Sequence, residues 1–506
     1  MLSPIFLLIP ILLPLAGGLA MLIRPIKRDL TRRIWCEAVA CAASVCVFAA
    51  AAFVEREPVT IYSFTGGFSV NFGVDGMAVL FSVMIAVMWP LVLLYAYEYM
   101  RGDERQNRFF AFYIMTYGVT LGVCYSADII TMYVFFEMLT LVTIPLVSHY
   151  EGHESMFAGR KYAAYTIGGA SLGFMAVVLT TIFGSAGMFI YGGSIDGTYD
   201  PAMMLLAYVL GFIGFGAKAA IFPLHDWLPT ASVAPTPVTA LLHAVAVVNS
   251  GVFAVMRMTY YVFGADYVRG TAAQAICLTL AIFSLLYGAA QALRERHFKR
   301  RLAYSTMSNL SYMLLSAMAM SPQGLKAGLC HMLFHGIIKI CLFMCAGAFM
   351  HQTKRSYIYE IGGVGRRMPV TFIFYTLCAL SLTGIPLFCG FVSKWQLLTA
   401  GMSAAAEAAG ANVAKPFYAA CLPYLLYAGV AALIIAAFLC AMYTITISVR
   451  AFFPVEGKDL YKEREVKEAG PLMLVPIAFF TICSTVLGIV PGPVLAFLTA
   501  IGEGRL

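Results

Sequence analysis

Three segments of this 506-residue chain place titratable side chains among apolar neighbours. In GLCHMLFHGIIKICLFMCAG (328–347), His331, His335 and Lys339 recur every fourth residue. On a helix that spacing stacks them along one face, about 6 Å per step. In GFGAKAAIFPLHDWLPTASVAPTPVTALLHA (214–244), Lys218 is followed by Pro223, Pro229, Pro235 and Pro237, and then by His243. In SLTGIPLFCGFVSKWQLL (381–398), Gly384 and Pro386 precede Lys394, and Glu137 stands alone in YVFFEMLTLV. These side chains take and give protons. Imidazole, titrating near 6.5, both accepts and donates at physiological pH. A lysine in water holds its proton to about pH 10.4; burial loosens that hold and a neighbouring carboxylate restores it. Glu137 and Lys218 are therefore read as a pair, and the histidine–lysine stripe as a relay. Zinc binding by the histidine pair is the lesser alternative, because no carboxylate or thiolate at ligand spacing accompanies it.

The elements that hold these groups are set by composition. Apolar residues make up 61% of the chain and charged ones 11%, against roughly 25% charged in soluble domains. A soluble chain of this length could not cover its surface, so the fold is an all-α polytopic membrane protein. Disordered chains, disulfide scaffolds and proteins that bind nucleic acid through a basic surface are excluded. Apolar runs at 3–23, 34–54, 77–98, 108–125, 128–148, 159–184, 203–222, 237–263, 271–293, 302–320, 324–350, 370–401, 418–448 and 471–499 give about fourteen transmembrane helices. The first run lacks a basic leader and is not read as a cleaved signal. The thirteen cysteines form no CxxC pair and read as small packing residues, with no disulfide or iron–sulfur site.

Charge orients the bundle. Most of the 33 Lys and Arg cluster at 24–33, 101–108, 160–161, 294–301, 354–367 and 450–467, while the alternate loops hold only Arg56, Arg269, Lys326, Lys415 and Arg505. Fourteen crossings put every rich loop on one side, which the positive-inside rule makes cytoplasmic. Both termini are then extracytoplasmic. Lys218, Arg257, Lys339 and Lys394 remain inside runs, where an ionisable group costs at least ~2.5–3.5 kcal/mol and faces the interior. Arg257 reads as structural, Glu98 and Asp128 as helix-end residues, and Asp75 as an unremarkable residue of the short polar stretch before the third run. The interrupted seventh and twelfth runs lie five apart, so runs 4–8 and 9–13 read as inverted repeats with a broken helix in each. Two independently kinked helices with snorkelling lysines would give the same pattern. The expected division is one transmembrane domain, 1–506, comprising N-terminal helices (1–107), the first repeat (108–263), the second (271–448) and a C-terminal helix (471–506).

The block AKAAIFPLHDWLPTASVAPTPVTALLHA resembles the signature of the antiporter-like membrane subunits shared by respiratory complex I, Mrp-type cation/proton antiporters and membrane-bound energy-converting hydrogenases. FFEMLTL, KRRLAYSTMSNLSYM (299–313), HMLFHGIIKICLF and GIPLFCGFVSKW match its other segments in the same order. The resemblance implies a mid-membrane proton path through Glu137, Lys218, His243, His331, His335, Lys339 and Lys394. It departs at Asn249, where many members carry a lysine six residues after the helix-eight histidine; this makes the step from Lys218 to helix eleven the weakest. Lys394, together with a chain end lacking the long lateral helix of the distal complex I subunit, points to D-type Mrp subunits with their hydrogenase-complex relatives.

The expected function is proton translocation within a multisubunit assembly of the bacterial or archaeal inner membrane, coupled to redox-driven partner subunits or to Na⁺ exchange. The alternatives are a secondary Na⁺/H⁺ antiporter subunit without redox coupling, or a structural scaffold with a degenerate channel. The partners implied are other membrane subunits, H⁺, the lipid bilayer and, in the exchange readings, Na⁺. No nucleotide, quinone, flavin or metal cofactor is expected, and no redox site in this chain.

Overall fold

The computed structural model describes residues 2–64, 68–195, 200–410, 417–455, 459–461 and 466–506; Lys415 lies outside the described residues. The N-terminal helices are α1 (Leu8–Ile23), α2 (Asp29–Phe53) and α3 (Gly76–Tyr99), with a hairpin of β1 (Val59–Ser63) and β2 (Ser69–Phe72) between α2 and α3. Then come α4 (Gln106–Tyr125), α5 (Ile129–Val147), α6 (His153–Ile182) and α7 (Pro201–Gly216). Short α8 (Trp227–Thr230) leads to α9 (Thr236–Ala244), and α10 (Val247–Arg257) runs into a π-helical turn, Met258–Phe263. Beyond α11 (Ala265–Val268) lie α12 (Ala272–Arg294), α13 (Phe298–Ala317), α14 (Pro322–Thr353), α15 (Pro369–Thr383), α16 (Cys389–Gly410), α17 (Phe417–Phe452), α18 (Pro471–Ile489) and α19 (Gly492–Gly502).

A bundle of helices suits a bilayer, because a helix satisfies its backbone internally. Among the described residues, ten helices are long and apolar enough to cross a membrane by length and composition. The other four expected runs are also helical. α4 opens on Gln106, Asn107 and Arg108, and α13 carries Lys299, Arg300 and Arg301 in its first turn, which dilutes their apolar character. α7 stops after 16 residues, and the twelfth run is divided between α15 and α16.

Three local expectations change. The fourteenth run is two helices rather than one, parted at Val490 just before Pro491, whose ring disfavours helix at the residue preceding it. The eighth run is also broken, at Val245–Ala246, with no proline at the break. The polar stretch before the third run pairs as an antiparallel hairpin, Val59 opposite Phe72 and Ser63 opposite Ser69. That hairpin is pinned to the bundle by Asn71, whose amide donates to Asp128 Oδ2 at 2.9 Å. Asp128 in turn caps α5 through the Ile130 and Thr131 amides, both at 2.8 Å.

The basic-rich segments gather at one end of the bundle. Ile26 N donates to Asn107 at 3.1 Å, Phe298 N to Ser356 at 2.9 Å and Gly363 N to Arg450 at 3.2 Å, while Arg105 and Arg108 both pair with Glu151. The chain ends lie together at the opposite end, where Leu2 bridges to Val54 and the Leu506 carbonyl accepts from Gly76 N at 3.3 Å. Between them, α14 and the α9–α10 region form the enclosed axis. Some 94% of the most apolar stretch of α14 is inside the bundle, against 39% for α1.

Candidate functional site

Lys218 sits where α7 ends. Past Gly216 the chain leaves the helix, Ala220 adopts a left-handed φ of +55°, and the helical path resumes only at Trp227. The indole of Trp227 donates to the freed Ala217 carbonyl at 2.9 Å, so the break is satisfied by protein, as irregular backbone inside a membrane must be. Gly251 of α10 packs directly on this turn. A Cβ there would lie 2.6 Å from Ala219 N and 2.9 Å from Lys218 C. The Lys218 side chain is fully enclosed, with Nζ 3.5 Å from Glu137 Oε1. The ammonium also donates to the Phe136 carbonyl and lies 3.6 Å from the centre of that ring. Cation–π contact and a carboxylate together compensate a charge removed from water. Glu137 keeps 24% of its side chain exposed, on the flank of the bundle.

His243 lies on α9, and its side chain is outside the described part of the structure. Asn249 closes the neighbouring break: its Nδ2 donates to the Ala244 carbonyl at 2.7 Å, while Oδ1 has no protein partner among the described residues. An amide here holds the helix together but cannot carry a proton.

On α14, His331, His335 and Lys339 are all buried on one stripe, with the two imidazole rings stacked 5.9 Å apart. α13 runs antiparallel beside them and supplies their partners. Asn309 Oδ1 is 3.2 Å from His331 Nε2, and Ser305 Oγ accepts from Lys339 Nζ at 2.7 Å. Lys339 also donates to the Leu302 carbonyl at 3.0 Å, and Tyr443 of α17 donates to the same Ser305 hydroxyl at 2.8 Å. Among the described residues, neither ring nitrogen of His335 has a protein partner. Buried polar groups seldom go unpaired, and solvent is the usual partner when protein is not.

Lys394 lies one turn into α16, beyond the second break. Gly384 ends α15 at φ +93°, a conformation glycine adopts without strain. Gly390 packs so close that a Cβ would overlap the Ser381 carbonyl. The Lys394 ammonium donates to the Leu382 and Thr383 carbonyls, at 2.7 and 3.1 Å, which the break leaves free. It lies 5.6 Å from the Tyr312 ring and borders an apolar cavity of about 370 Å³ between α16 and α17. The structure thus brings Glu137 to Lys218, and the α14 stripe to α13 and α16.

Several positioning residues are not legible in the sequence. Lys299 and Arg301 fall in a basic loop cluster by sequence, yet both are buried. Lys299 donates to the Ala234 carbonyl at 2.8 Å, and Arg301 to the Leu293, Glu295 and Tyr443 carbonyls. Arg257 is structural as expected, but its partner is Asp75, held by both terminal nitrogens of the guanidinium, which also lies 4.6 Å from the Tyr261 ring. Ser305 and Asn309 stand four apart on α13, but Thr306, Ser308 and Ser311 beside them hide that signal in the sequence.

Known proteins share this arrangement of helices. Residues 126–414 match the family described as NADH:quinone oxidoreductase/Mrp antiporter, TM, and residues 62–110 match NADH-ubiquinone oxidoreductase (complex I), chain 5 N-terminus. The chain is 31% identical over 451 residues to the A/B subunit of a probable K⁺/H⁺ antiporter of Rhizobium meliloti (87% of this chain, 42% of that one). It is 30% identical over 419 residues to NAD(P)H-quinone oxidoreductase subunit 5 of Nymphaea alba chloroplasts (77% and 55%). The chain spans about half the length of these curated relatives. A subunit of an archaeal membrane-bound sulfane sulfur reductase shares its fold, with TM-score 0.80 and 22% identity over 98% of this chain and 96% of that one. With more than half of its length inside the family pattern, the chain belongs to the NADH:quinone oxidoreductase/Mrp antiporter transmembrane family.

Proposed function

We propose that this chain is the proton-translocating subunit of a multisubunit membrane assembly, moving H⁺ through Glu137, Lys218, His243, His331, His335, Lys339 and Lys394. The observation that carries the reading is the enclosed α14 stripe, with three proton-exchanging side chains in register and His335 free of any protein partner among the described residues. An enclosed imidazole with both nitrogens open suits proton exchange through water. The Glu137–Lys218 pair is the adjustable end. Because Glu137 reaches the flank of the bundle, a neighbouring subunit that draws on it loosens the lysine's hold on its proton. The Lys218 proton then passes by way of His243 and water to the α14 stripe, and Lys394 discharges it outward. Moving one charge against about 180 mV takes about 4 kcal/mol, equivalent to a change of ~3 units in proton affinity. Breaking one desolvated ion pair is of that order.

In this reading runs 4–8 and 9–13 are inverted repeats, the basic-rich end is cytoplasmic, and both termini are extracytoplasmic. The source of the driving force is either redox chemistry in partner subunits or exchange against Na⁺. The relatives include subunits of both quinone oxidoreductases and cation/proton antiporters. The D-type assignment within that range rests on Lys394. Isolating the intact assembly and identifying its subunits separates the two drives: iron–sulfur or hydrogenase partners mark the first, a set of small antiporter subunits the second. The reading itself is tested by Lys218→Ala in inverted membrane vesicles. Proton transport is expected to fall by about 10²-fold or more at unchanged assembly level, and transport equal to wild type returns the chain to a scaffold role.

A further inference from the structure

We propose that Ser393 is a positioning residue whose single hydroxyl proton switches between two acceptors as His331 gains and loses its proton, carrying the charge state of α14 into the first turn of the broken helix α16. The proposal rests on the relay reading above and adds to it a residue that contacts the relay without titrating.

Three contacts define the switch. His331 Nδ1 lies 3.0 Å from Ser393 Oγ, Nε2 lies 3.2 Å from Asn309 Oδ1, and Ser393 Oγ lies 3.2 Å from the Gly390 carbonyl. The Asn309 amide cannot turn over, because its Nδ2 already donates to the Ser305 carbonyl at 2.7 Å and an oxygen in that place would face an oxygen. Asn309 therefore presents an acceptor to Nε2, and neutral His331 keeps its proton there. Nδ1 is then a lone pair, and the Ser393 hydroxyl donates to it.

When water of the proposed relay delivers a proton, its O–H bond breaks as the Nδ1–H bond forms, and the resulting imidazolium has two N–H groups and no lone pair. Ser393 must now accept, so its own proton rotates to the Gly390 carbonyl. Nothing is gained or lost but the transferred proton. Both states are fully hydrogen-bonded on the His331 side, and neither leaves a buried donor unpaired. The Gly390 carbonyl is also the i−4 acceptor for the Lys394 amide in α16. A second donor arriving there weakens the turn that holds Lys394, so the two relay groups sense one another through one carbonyl. Among the described residues, the other ionisable groups around His331 are His335 on its own helix, Tyr312 on α13 at 5.4 Å between rings, and Lys394 on α16. None of them offers Nδ1 an alternative hydrogen bond. The Asn309 and Ser393 side chains are each at most 1% exposed, so both are enclosed within the bundle beside His331.

The test compares Ser393→Ala, Ser393→Thr and His331→Ala with wild type in inverted membrane vesicles carrying the intact assembly at matched levels. ¹⁵N spectra of labelled histidine, with His331→Ala identifying the resonance, read the tautomer. Loss of one buried hydrogen bond predicts about tenfold slower proton transport for Ser393→Ala, and recovery to within about twofold for Ser393→Thr, which keeps the hydroxyl. Neutral His331 in wild type is expected as the Nε2–H tautomer. Wild-type transport by Ser393→Ala, equal impairment of Ser393→Thr, or an Nδ1–H tautomer each overturns the switch. If His331→Ala is inactive in those cases, the relay reading survives; if His331→Ala transports normally, the relay reading falls with it.

Discussion

Arg257 and Asp75 illustrate how single residues in this molecule are kept charged away from water. Arg257 is 2% exposed and its guanidinium gives both terminal nitrogens to the Asp75 carboxylate, which also caps α3 by accepting from Ala78 N at 2.9 Å. Tyr261, Phe253 and Phe189 close around the cation at 4.6, 5.0 and 5.2 Å. Such a pair adds little to stability when intact, yet removing one member strands a buried charge at a cost of roughly 3–5 kcal/mol. Asp75→Asn keeps the cap geometry and removes the charge. It is expected to lower the thermal stability of the purified assembly markedly, while Asp75→Asn combined with Arg257→Met recovers much of the loss. Melting curves of wild type, both single variants and the double variant decide this, since a merely exposed pair would give four superimposable curves. The lysines follow the same rule with weaker partners. Lys299, Lys339 and Lys394 hydrogen-bond carbonyls, and in the latter two a hydroxyl or an aromatic face as well, rather than carboxylates. Carbonyl partners solvate an ammonium without fixing its charge, which fits the proton release proposed for Lys339 and Lys394.

At the scale of elements, the breaks place the lysines. An unbroken helix offers no free carbonyls along its length, but α15 ends at Thr383 and leaves Leu382 and Thr383 carbonyls available to Lys394. The second half, α16, returns so closely that Gly390 touches the Ser381 carbonyl. Gly390→Ala cannot be accommodated without parting the two halves, because the intruded atom is backbone rather than a flexible side-chain end. Proton transport in vesicles is expected to drop at least about tenfold, with Lys394 pulled away from its two carbonyl acceptors. Full activity in that variant would show that the junction is not rigid. The proline-rich block around Lys218 announces its break in the sequence, and Gly384 with Pro386 announces the second. The interruption at Val245–Ala246 is silent in the sequence, which has no proline or glycine there, and Asn249 closes it.

Over the whole molecule, basic segments gather at one end of the bundle and the chain ends at the other. Basic segments far apart in sequence, such as those around Arg105, Arg296 and Arg450, lie at the end opposite Leu2 and Leu506. Hydrogen bonds from Phe298 to Ser356, and from Ile358 to the Arg296 carbonyl at 3.0 Å, tie these loops into a common rim. If that rim is cytoplasmic, single cysteines placed at Arg56 and Arg505 react with a membrane-impermeant maleimide in intact cells, while cysteines at Arg105 and Arg366 react only after permeabilisation. The reverse labelling pattern would invert the bundle and, with it, the direction assigned to Lys218 and Lys394.

Composition and periodicity determined that this chain is a helical membrane bundle, because burying so many apolar residues with so few charges leaves no soluble solution. Periodicity also put His331, His335 and Lys339 on one face, since a helix fixes the geometry of residues four apart. Only the tertiary structure decided what those residues face. Asn309 and Ser305 from α13, Ser393 from α16 and the Asp75 carboxylate reach their partners across helix interfaces. Such pairings depend on the rotation and depth of each helix in the bundle, which local sequence spacing does not encode. The same reason explains Lys299 and Arg301: a basic cluster at a helix start reads as a solvated loop until packing folds neighbouring carbonyls over it.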